Sequence, residues 1–246
     1  MNHEPKNMKI ALIGYGKMGQ TIEQLAIAAG HQVVLKIDKD NTDALTEENL
    51  RKADVAIEFS QPGTAFDNIT FCFKAGIPVV SGTTAWLDQF EEAVEVCKKE
   101  EGAFFYASNF SIGVNIFFSL SEYLAKMMDP YAQYEVSMEE IHHTQKLDAP
   151  SGTAVTLAEG IIKELNRKCK WQSEGADNES VIPIYSKRID KVPGTHHVKY
   201  YSDIDEIEIV HTAKSREGFA RGALSAAVWL VGKKGVFGMK DMLGIG

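Results

Sequence analysis

Cysteine is scarce in this chain: three in 246 residues, Cys72, Cys97 and Cys169, far apart and with no Cys-x-x-Cys pair. An odd, sparse count supplies no disulfide framework and fits a reducing compartment. Positive charge is short too, since 26 Lys and Arg against 34 Asp and Glu leave a formal net charge of −8. The basic surface that non-specific phosphate-backbone binding needs is therefore missing, and no nucleic-acid partner is expected. Any anionic ligand must be held by a local group of donors rather than by the field of the whole molecule. Long apolar runs are absent as well. The first, after a polar start that lacks an apolar signal region, is about six residues, far too short to span a bilayer, so no membrane partner and a cytoplasmic location are expected. No internal repeat, heptad pattern or low-complexity linker interrupts the chain. With 44% hydrophobic and 24% charged residues it has the make-up of a globular protein with an ample core.

What is present begins with alternation of strand and helix. Met8–Ile13 is an almost continuous apolar run, as a strand buried on both faces would be. It leads into Gly14-Tyr15-Gly16-Lys17-Met18-Gly19, then a helix over Gln20–Ala29 closed by Gly30, then a strand Gln32–Ile37 ending at Asp38. A glycine pattern of this kind is weak evidence alone. Set between strand and helix, with an acidic residue 19 positions after the last glycine, it is a dinucleotide fingerprint. Gly14 permits the tight turn, Gly16 lets the backbone approach a pyrophosphate, and Gly19 lets helix and strand pack closely. The diphosphate then sits at a helix start, where free N–H groups and the dipole favour an anion. Asp38 is placed to accept hydrogen bonds from ribose hydroxyls, which favours NADH; the flanking Lys36 and Lys39 keep NADPH possible.

Further strands are predicted at Ala53–Phe59, Ile77–Val80 and Ala103–Tyr106, with helices near 65–75 and 87–100. The turns after them, Ser60 to Thr64 and Gly82-Thr83-Thr84, carry small residues at strand ends, where ligands bind in open α/β sheets. Gly82, Thr83 and Thr84 also suit a helix cap, and both uses are compatible. After Asn109 the pattern changes: a helix near 113–128, then a strand from Tyr134 with Val136, Met138, Glu140 and His142 on one face and Ile141 and His143 on the other. A helix over Ala154–Lys168, a polar loop over Trp171–Ser180 and strands near 182–190, 197–202 and 205–212 follow. A helix near Arg221–Val231 and a glycine-rich tail close the chain.

The densest chemistry lies in Glu140-Ile141-His142-His143-Thr144-Gln145-Lys146-Leu147-Asp148-Ala149-Pro150-Ser151-Gly152-Thr153. Adjacent residues on a strand point to opposite faces, no cysteine lies nearby and the spacing is not His-Glu-x-x-His, so no metal site is expected. His142 suits a general acid/base, because an imidazole titrates near neutral pH. Gly152 and Thr153 open the next helix, and their N–H groups would face an anion, with His143 and Lys146 adding donors or charge. Asp148 reads as a structural partner. The whole suggests a small acid held by its carboxylates.

This run resembles the signature of the 4-hydroxy-tetrahydrodipicolinate reductases, the dihydrodipicolinate reductases of bacterial lysine biosynthesis. Gly14 to Gly19, Glu58-Phe59-Ser60-Gln61-Pro62-Gly63, Gly82 to Thr84, Ala107 to Asn115 and Ala226 to Leu230 fall in that family's order. The resemblance implies NAD(P)H-dependent reduction of a cyclic imine, made from pyruvate and aspartate semialdehyde, to tetrahydrodipicolinate, with hydride delivered to ring carbon 4. It implies His142 as proton donor/acceptor, Lys146 as a proton donor that pairs with carboxylate, and His143, Gly152 and Thr153 as carboxylate holders. Cofactor contacts would come from Gly14, Tyr15, Gly16, Lys17, Met18 and Gly19, from Asp38 and Lys39, and from Gly82, Thr83 and Thr84. Ala107, Ser108, Asn109 and Phe110 would complete them. It also implies a homotetramer built through the second domain's sheet. Gln61 stands where many relatives carry arginine, which with Asp38 favours NADH.

The expected fold is α/β: a Rossmann-like dinucleotide-binding domain of residues 1–109 and 221–246, and an α+β substrate and oligomerisation domain of mixed sheet over residues 110–220. A related dehydrogenase for another small substrate and a non-enzymatic NAD-sensing module are the competing readings. The latter leaves His142 and Lys146 without a role.

Overall fold

A computed structural model describes residues 7–215 and 217–245; the polar start of the chain read above lies largely outside them. Two compact units emerge. The first runs through Ile112 and resumes at Glu217; the second begins at Gly113 and ends before Glu217.

The first unit contains β1 (Lys9–Ile13), α1 (Lys17–Ala28), β2 (Gln32–Ile37), α2 (Glu47–Leu50), β3 (Val55–Glu58), α3 (Pro62–Lys74), β4 (Val79–Ser81), α4 (Phe90–Lys99) and β5 (Ala103–Tyr106). The second contains α5 (Ile112–Met128, whose first residue belongs to the first unit), β6 (Glu135–His142), α6 (Gly152–Glu164), β7 (Lys170–Ser173), β8 (Val181–Arg188), β9 (Gly194–Tyr201) and β10 (Glu206–Ala213). The chain then returns to the first unit with α7 (Glu217–Leu230), β11 (Gly235–Phe237) and α8 (Met239–Leu243).

The first sheet is parallel throughout, in the order β11-β5-β4-β3-β1-β2. Its inner strands β1, β3, β4 and β5 are largely buried on both faces because helices cover both. On β1, Ile10 and Leu12 join a core with Ile22 and Ala26 of α1 and Ala220, Ala223 and Ala227 of α7. Ala11 and Ile13 join the opposite core with Ile69 and Phe73 of α3 and Ala93 and Cys97 of α4. Cys72 and Cys97 are free thiols buried in that second layer. Pro62 opens α3 at a position where its missing N–H costs nothing, and α4 carries Glu91 and Glu92 in its first turn and Lys98 and Lys99 in its last, matching the helix dipole.

The second sheet is mixed, in the order β10-β9-β6-β8-β7, with β6 antiparallel to β9 and parallel to β8. Residues of β6 alternate between half-buried and buried, with Val136, Met138, Glu140 and His142 inside. That alternation arises because α5 and α6 contribute Phe117, Leu124, Leu157 and Ile161 to a core on one face of the sheet.

Several elements depart from the sequence reading. Lys170–Ser173, which overlaps the start of the predicted polar loop, is an edge strand paired with β8; its side chains are half-buried or exposed, so no apolar pattern marks it. The glycine-rich tail forms β11, beside β5, and α8; three residues are too few to show a period. Helix α6 starts two residues before Ala154 and stops short of Lys168, whose buried ammonium meets Glu135 Oε2 at 2.6 Å. Helix α7 begins at Glu217, a turn earlier than Arg221. Among the described residues no helix is long and apolar enough to cross a membrane.

Candidate active site

In the first sheet the chain passes from β1 to β2 on one side, and then to β3 on the other. The turns leaving β1 and β3 therefore diverge and open a crevice at their carboxyl ends. A cleft of about 360 Å³ lies there, lined by Gly14, Gly16, Asp38, Lys39, Thr42, Leu45, Ser60, Gln61, Thr64 and Asn68 among others. Two glycines of the fingerprint serve the chain itself: a Cβ on Gly14, whose φ is +95°, would stand 2.0 Å from Phe59 O, and one on Gly19 would stand 2.5 Å from Gly14 O. Gly16 differs. A Cβ there would meet nothing within 4 Å, so what its bareness leaves open is the cleft. Gly16 also caps α1 without a side-chain hydrogen bond, leaving the first N–H groups of α1 for an anion. These features fit a dinucleotide.

Asp38 and Lys39 are exposed at the rim. One carboxylate oxygen of Asp38 accepts from Lys39 N–H at 2.8 Å, and Asp38 N–H donates to Asn41 Oδ1 at 2.6 Å. Lys36 instead pairs with Glu23 at 3.2 Å, beneath a Tyr15 hydroxyl that bonds the same carboxylate, and its ammonium lies 4.9 Å from the Tyr15 ring centroid. Lys17 is exposed and Met18 packs partly on the core. Gly82, Thr83, Thr84 and Ala107 to Phe110 do not line the cleft. Thr83 is buried, its hydroxyl donating to Glu58 and accepting from Ser60 N–H. Phe110 is 2% exposed, its ring packed against Phe59 and Phe105. Ala107 is buried, Asn109 half-buried, and Ser108 and Thr84 are exposed. Thr42 and Leu45 were not foreseen; they sit in a polar stretch whose sequence carries no period.

The second constellation lies in the second unit and centres on Glu140, which is 0% exposed. Its carboxylate accepts from Ser151 N–H at 3.1 Å, from Ser186 Oγ at 2.9 Å and from Arg188 Nη2 at 3.0 Å. His142 Nδ1 stands 3.3 Å from Glu140 Oε2, and His196 Nε2 stands 3.9 Å from the same atom and 3.3 Å from Ser151 Oγ. Burial alone would raise the Glu140 carboxyl, but His142, Ser151, Arg188 and Ser186 together hold it far below the usual carboxylate range. His196 is pushed down to about 3, by burial first and by His142 second, against the pull of Glu140.

Arg188 also donates to Lys146 O at 3.3 Å and to Asp148 O at 2.6 Å, tying the loop after β6 back to the strand. Lys146 Nζ lies 2.8 Å from both Asp148 oxygens, and this partner lowers the Asp148 pKa. A cis peptide joins Ala149 to Pro150. Ser151 then caps α6: its Oγ accepts from Ala154 N–H and its carbonyl from Val155 N–H, which leaves the N–H groups of Gly152 and Thr153 as the opening donors of the helix. Gly152 is exposed, while Thr153 and His143 are half-buried.

His142 is the last residue of β6 and His143 lies just beyond the strand, so alternation does not govern His143, but the fold supplies another imidazole. Glu140, His142 and His196 bring one ligand atom each within 4.8 Å of one another, a metal-ligating combination that the sequence reading did not anticipate. The charge of that carboxylate is already matched by the Arg188 guanidinium. Sequence reasoning also missed Ser186 and Arg188. Only strand register brings them in: Glu140 faces His196 on β9 and Ser186 on β8, and His142 faces Arg188.

A doubly wound parallel sheet with this glycine turn, followed by a mixed-sheet unit, puts the chain in the class of nicotinamide-nucleotide oxidoreductases. Residues 8–110 match the family model described as dihydrodipicolinate reductase, N-terminus, and residues 113–243 match dihydrodipicolinate reductase, C-terminus. The chain belongs to the dihydrodipicolinate reductase family. It is 57% identical over 238 residues, 96% of this chain and 98% of the other, to a 4-hydroxy-tetrahydrodipicolinate reductase of Christiangramia forsetii. A protein of the same name from Neisseria meningitidis serogroup B is 34% identical, over 91% of this chain and 84% of its own. In fold, the chain is similar to a dipicolinate-bound dihydrodipicolinate reductase from a Paenisporosarcina species, with a TM-score of 0.77 and 22% identity over 96% and 99% of the two chains.

Proposed function

We propose that this protein reduces 4-hydroxy-tetrahydrodipicolinate to tetrahydrodipicolinate on the diaminopimelate route to lysine, with the first unit holding NAD(P)H and the second the substrate. Bound NAD(P)H supplies the hydride, to ring carbon 4. The chain's own residues bind, orient and handle protons.

One observation carries the assignment within the second unit. Glu140 and Arg188 together tie the Lys146–Asp148 loop and the capped start of α6 into one hydrogen-bonded group, with His142 Nδ1 3.3 Å from the Glu140 carboxylate beside it. His142 exchanges the proton with substrate as general acid/base, with Lys146 as a second donor. The Lys146 ammonium exchanges its Asp148 partner for a substrate carboxylate. The N–H groups of Gly152 and Thr153, with the Thr153 hydroxyl and His143, hold a carboxylate at the helix start, where the dipole favours an anion.

In the first unit, Gly14, Tyr15, Gly16, Lys17, Met18 and Gly19 surround the pyrophosphate, with Gly16 allowing the approach. Asp38 accepts from the ribose hydroxyls and Gln61 leaves the rim without a fixed cation. Lys36 is occupied by Glu23. NADH is therefore preferred, with NADPH use possible through Lys39. Gly82, Thr83 and Thr84 and the segment Ala107 to Phe110 complete the cofactor site through their backbone, since the Thr83 hydroxyl and the Phe110 ring are already engaged. A cytoplasmic homotetramer joined through the second sheet completes the proposal; Tyr185, Tyr201 and Val210 are exposed on that sheet.

Steady-state NADH oxidation by the purified protein, with substrate generated in situ, tests the reading. His142→Ala and Lys146→Ala should each lower turnover at least about a hundredfold with cofactor affinity nearly intact. Near-normal turnover in both variants would remove the catalytic assignment.

A further inference from the structure

The two ring nitrogens of His142 have different surroundings. Nδ1 is sealed from solvent and makes no full hydrogen bond, and the carboxylate oxygen Glu140 Oε2 stands 3.3 Å from it. Nε2 faces Gly194, the first residue of β9: a Cβ built there would come within 3.0 Å of Nε2 and 3.2 Å of Cδ2. A neutral imidazole carries one proton, and the partner of one nitrogen decides what the other can do. The partner here is an anion. Ser151 N–H, Ser186 Oγ and Arg188 Nη2 already donate to Glu140, so a bare Nδ1 would turn its lone pair on a buried carboxylate.

Every charged or titratable group facing this pair supports the same arrangement. His196 packs against the His142 ring, with centroids 5.1 Å apart and planes near perpendicular, and remains neutral down to low pH, so it does not compete for Glu140 as a cation. Lys146 is engaged by Asp148. Burial lowers the His211 pKa as well.

We propose that Glu140 and Gly194 are positioning residues for His142: Glu140 keeps the proton on Nδ1, and Gly194, by lacking a side chain, keeps Nε2 open as the nitrogen that exchanges a proton with substrate. This rests on the reading of His142 as the acid/base, but the tautomer is a property of the resting protein and is measured without turnover.

The experiment is nitrogen NMR on the full chain labelled at histidine, with His142→Gln identifying the resonances. The neutral His142 ring should show a protonated Nδ1 and a bare Nε2. A protonated Nε2 in the wild-type protein would overturn the proposal, whatever the enzyme turns over. If the tautomer stands and His142→Ala retains turnover, the acid/base reading fails by itself. In activity, Glu140→Gln should lower kcat about 10- to 100-fold with KM changed less than about twofold, and move the pH profile of kcat toward acid as the anion beside the ring is lost. Gly194→Ala should lower kcat about tenfold while the Nδ1 resonance stays protonated and NADH affinity is unchanged. An unshifted pH profile in Glu140→Gln, or full activity in Gly194→Ala, would leave those residues as scaffold only.

Discussion

Among the described residues, each unit buries one glutamate completely, and the two are treated in opposite ways. Glu58, at the end of β3, is surrounded by neutral donors: the N–H and hydroxyl of Ser60, the hydroxyl of Ser81 at 2.6 Å and that of Thr83 at 2.9 Å. Burial outweighs those bonds and raises its pKa. Glu140 is as fully buried, but it faces a guanidinium, a helix-start N–H and an imidazole, and its pKa falls. Equal burial leaves the two carboxyls shifted in opposite directions. In the first unit the carboxyl knots the turns after β3 and β4; in the second it holds a negative charge beside an acid/base candidate.

The sharpest way to break this comparison is to remove the cation. Arg188→Met leaves Glu140 as a buried charge without its ion-pair partner and should cost about 3 kcal/mol in urea denaturation. A loss no larger than that of an exposed surface pair would mean the carboxylate was never dependent on Arg188.

The pH dependence of the two glutamine variants comes next. Glu140 has a folded pKa below its ordinary value of 4.5, so its contribution is full above pH 4.5 and is lost as pH falls through the folded pKa. Glu58 has a folded pKa raised above 4.5, so its contribution is full below pH 4.5 and is lost as pH rises through the folded pKa. Glu140→Gln should therefore cost most near neutral pH, about 2 kcal/mol, and less in acid. Glu58→Gln should do best near neutral pH, where it is neutral or stabilising by up to about 1 kcal/mol. Unfolding curves from about pH 2 to 8 check both, and parallel curves would erase the distinction.

The smallest stability effect is expected at the rim of the first unit, where charge is exposed. Asp38→Ala should shift stability by less than about 0.5 kcal/mol, yet weaken NADH more than NADPH in direct titrations. Equal losses for the two nucleotides would remove the basis for a preference.

How much of this could be read from the chain follows from where each signal resides. The β1-α1-β2 unit was legible because burial on both faces makes β1 a continuous apolar run and because the glycine turn has a fixed spacing. The open start of α6 was legible because Ser151, Gly152 and Thr153 are adjacent. The strand at Lys170–Ser173 was not, because an edge strand needs no apolar face, and β11 was not, because its partner β5 lies far back in the chain. Thr42 and Leu45 reach the cleft only because the turn after β2 folds back over it.

The local sequence determined the glycine turn, the strand alternation that puts Glu140 and His142 on the buried face of β6, and the helix cap that follows, because each depends on backbone geometry over a few residues. Tertiary structure decided what Glu140 does. Its partners Ser186, Arg188 and His196 are 46, 48 and 56 positions away and arrive through the pairing of β6 with β8 and β9. A shift of one residue in the register of β8 would turn Ser186 and Arg188 to the other face and leave the buried carboxylate without its cation.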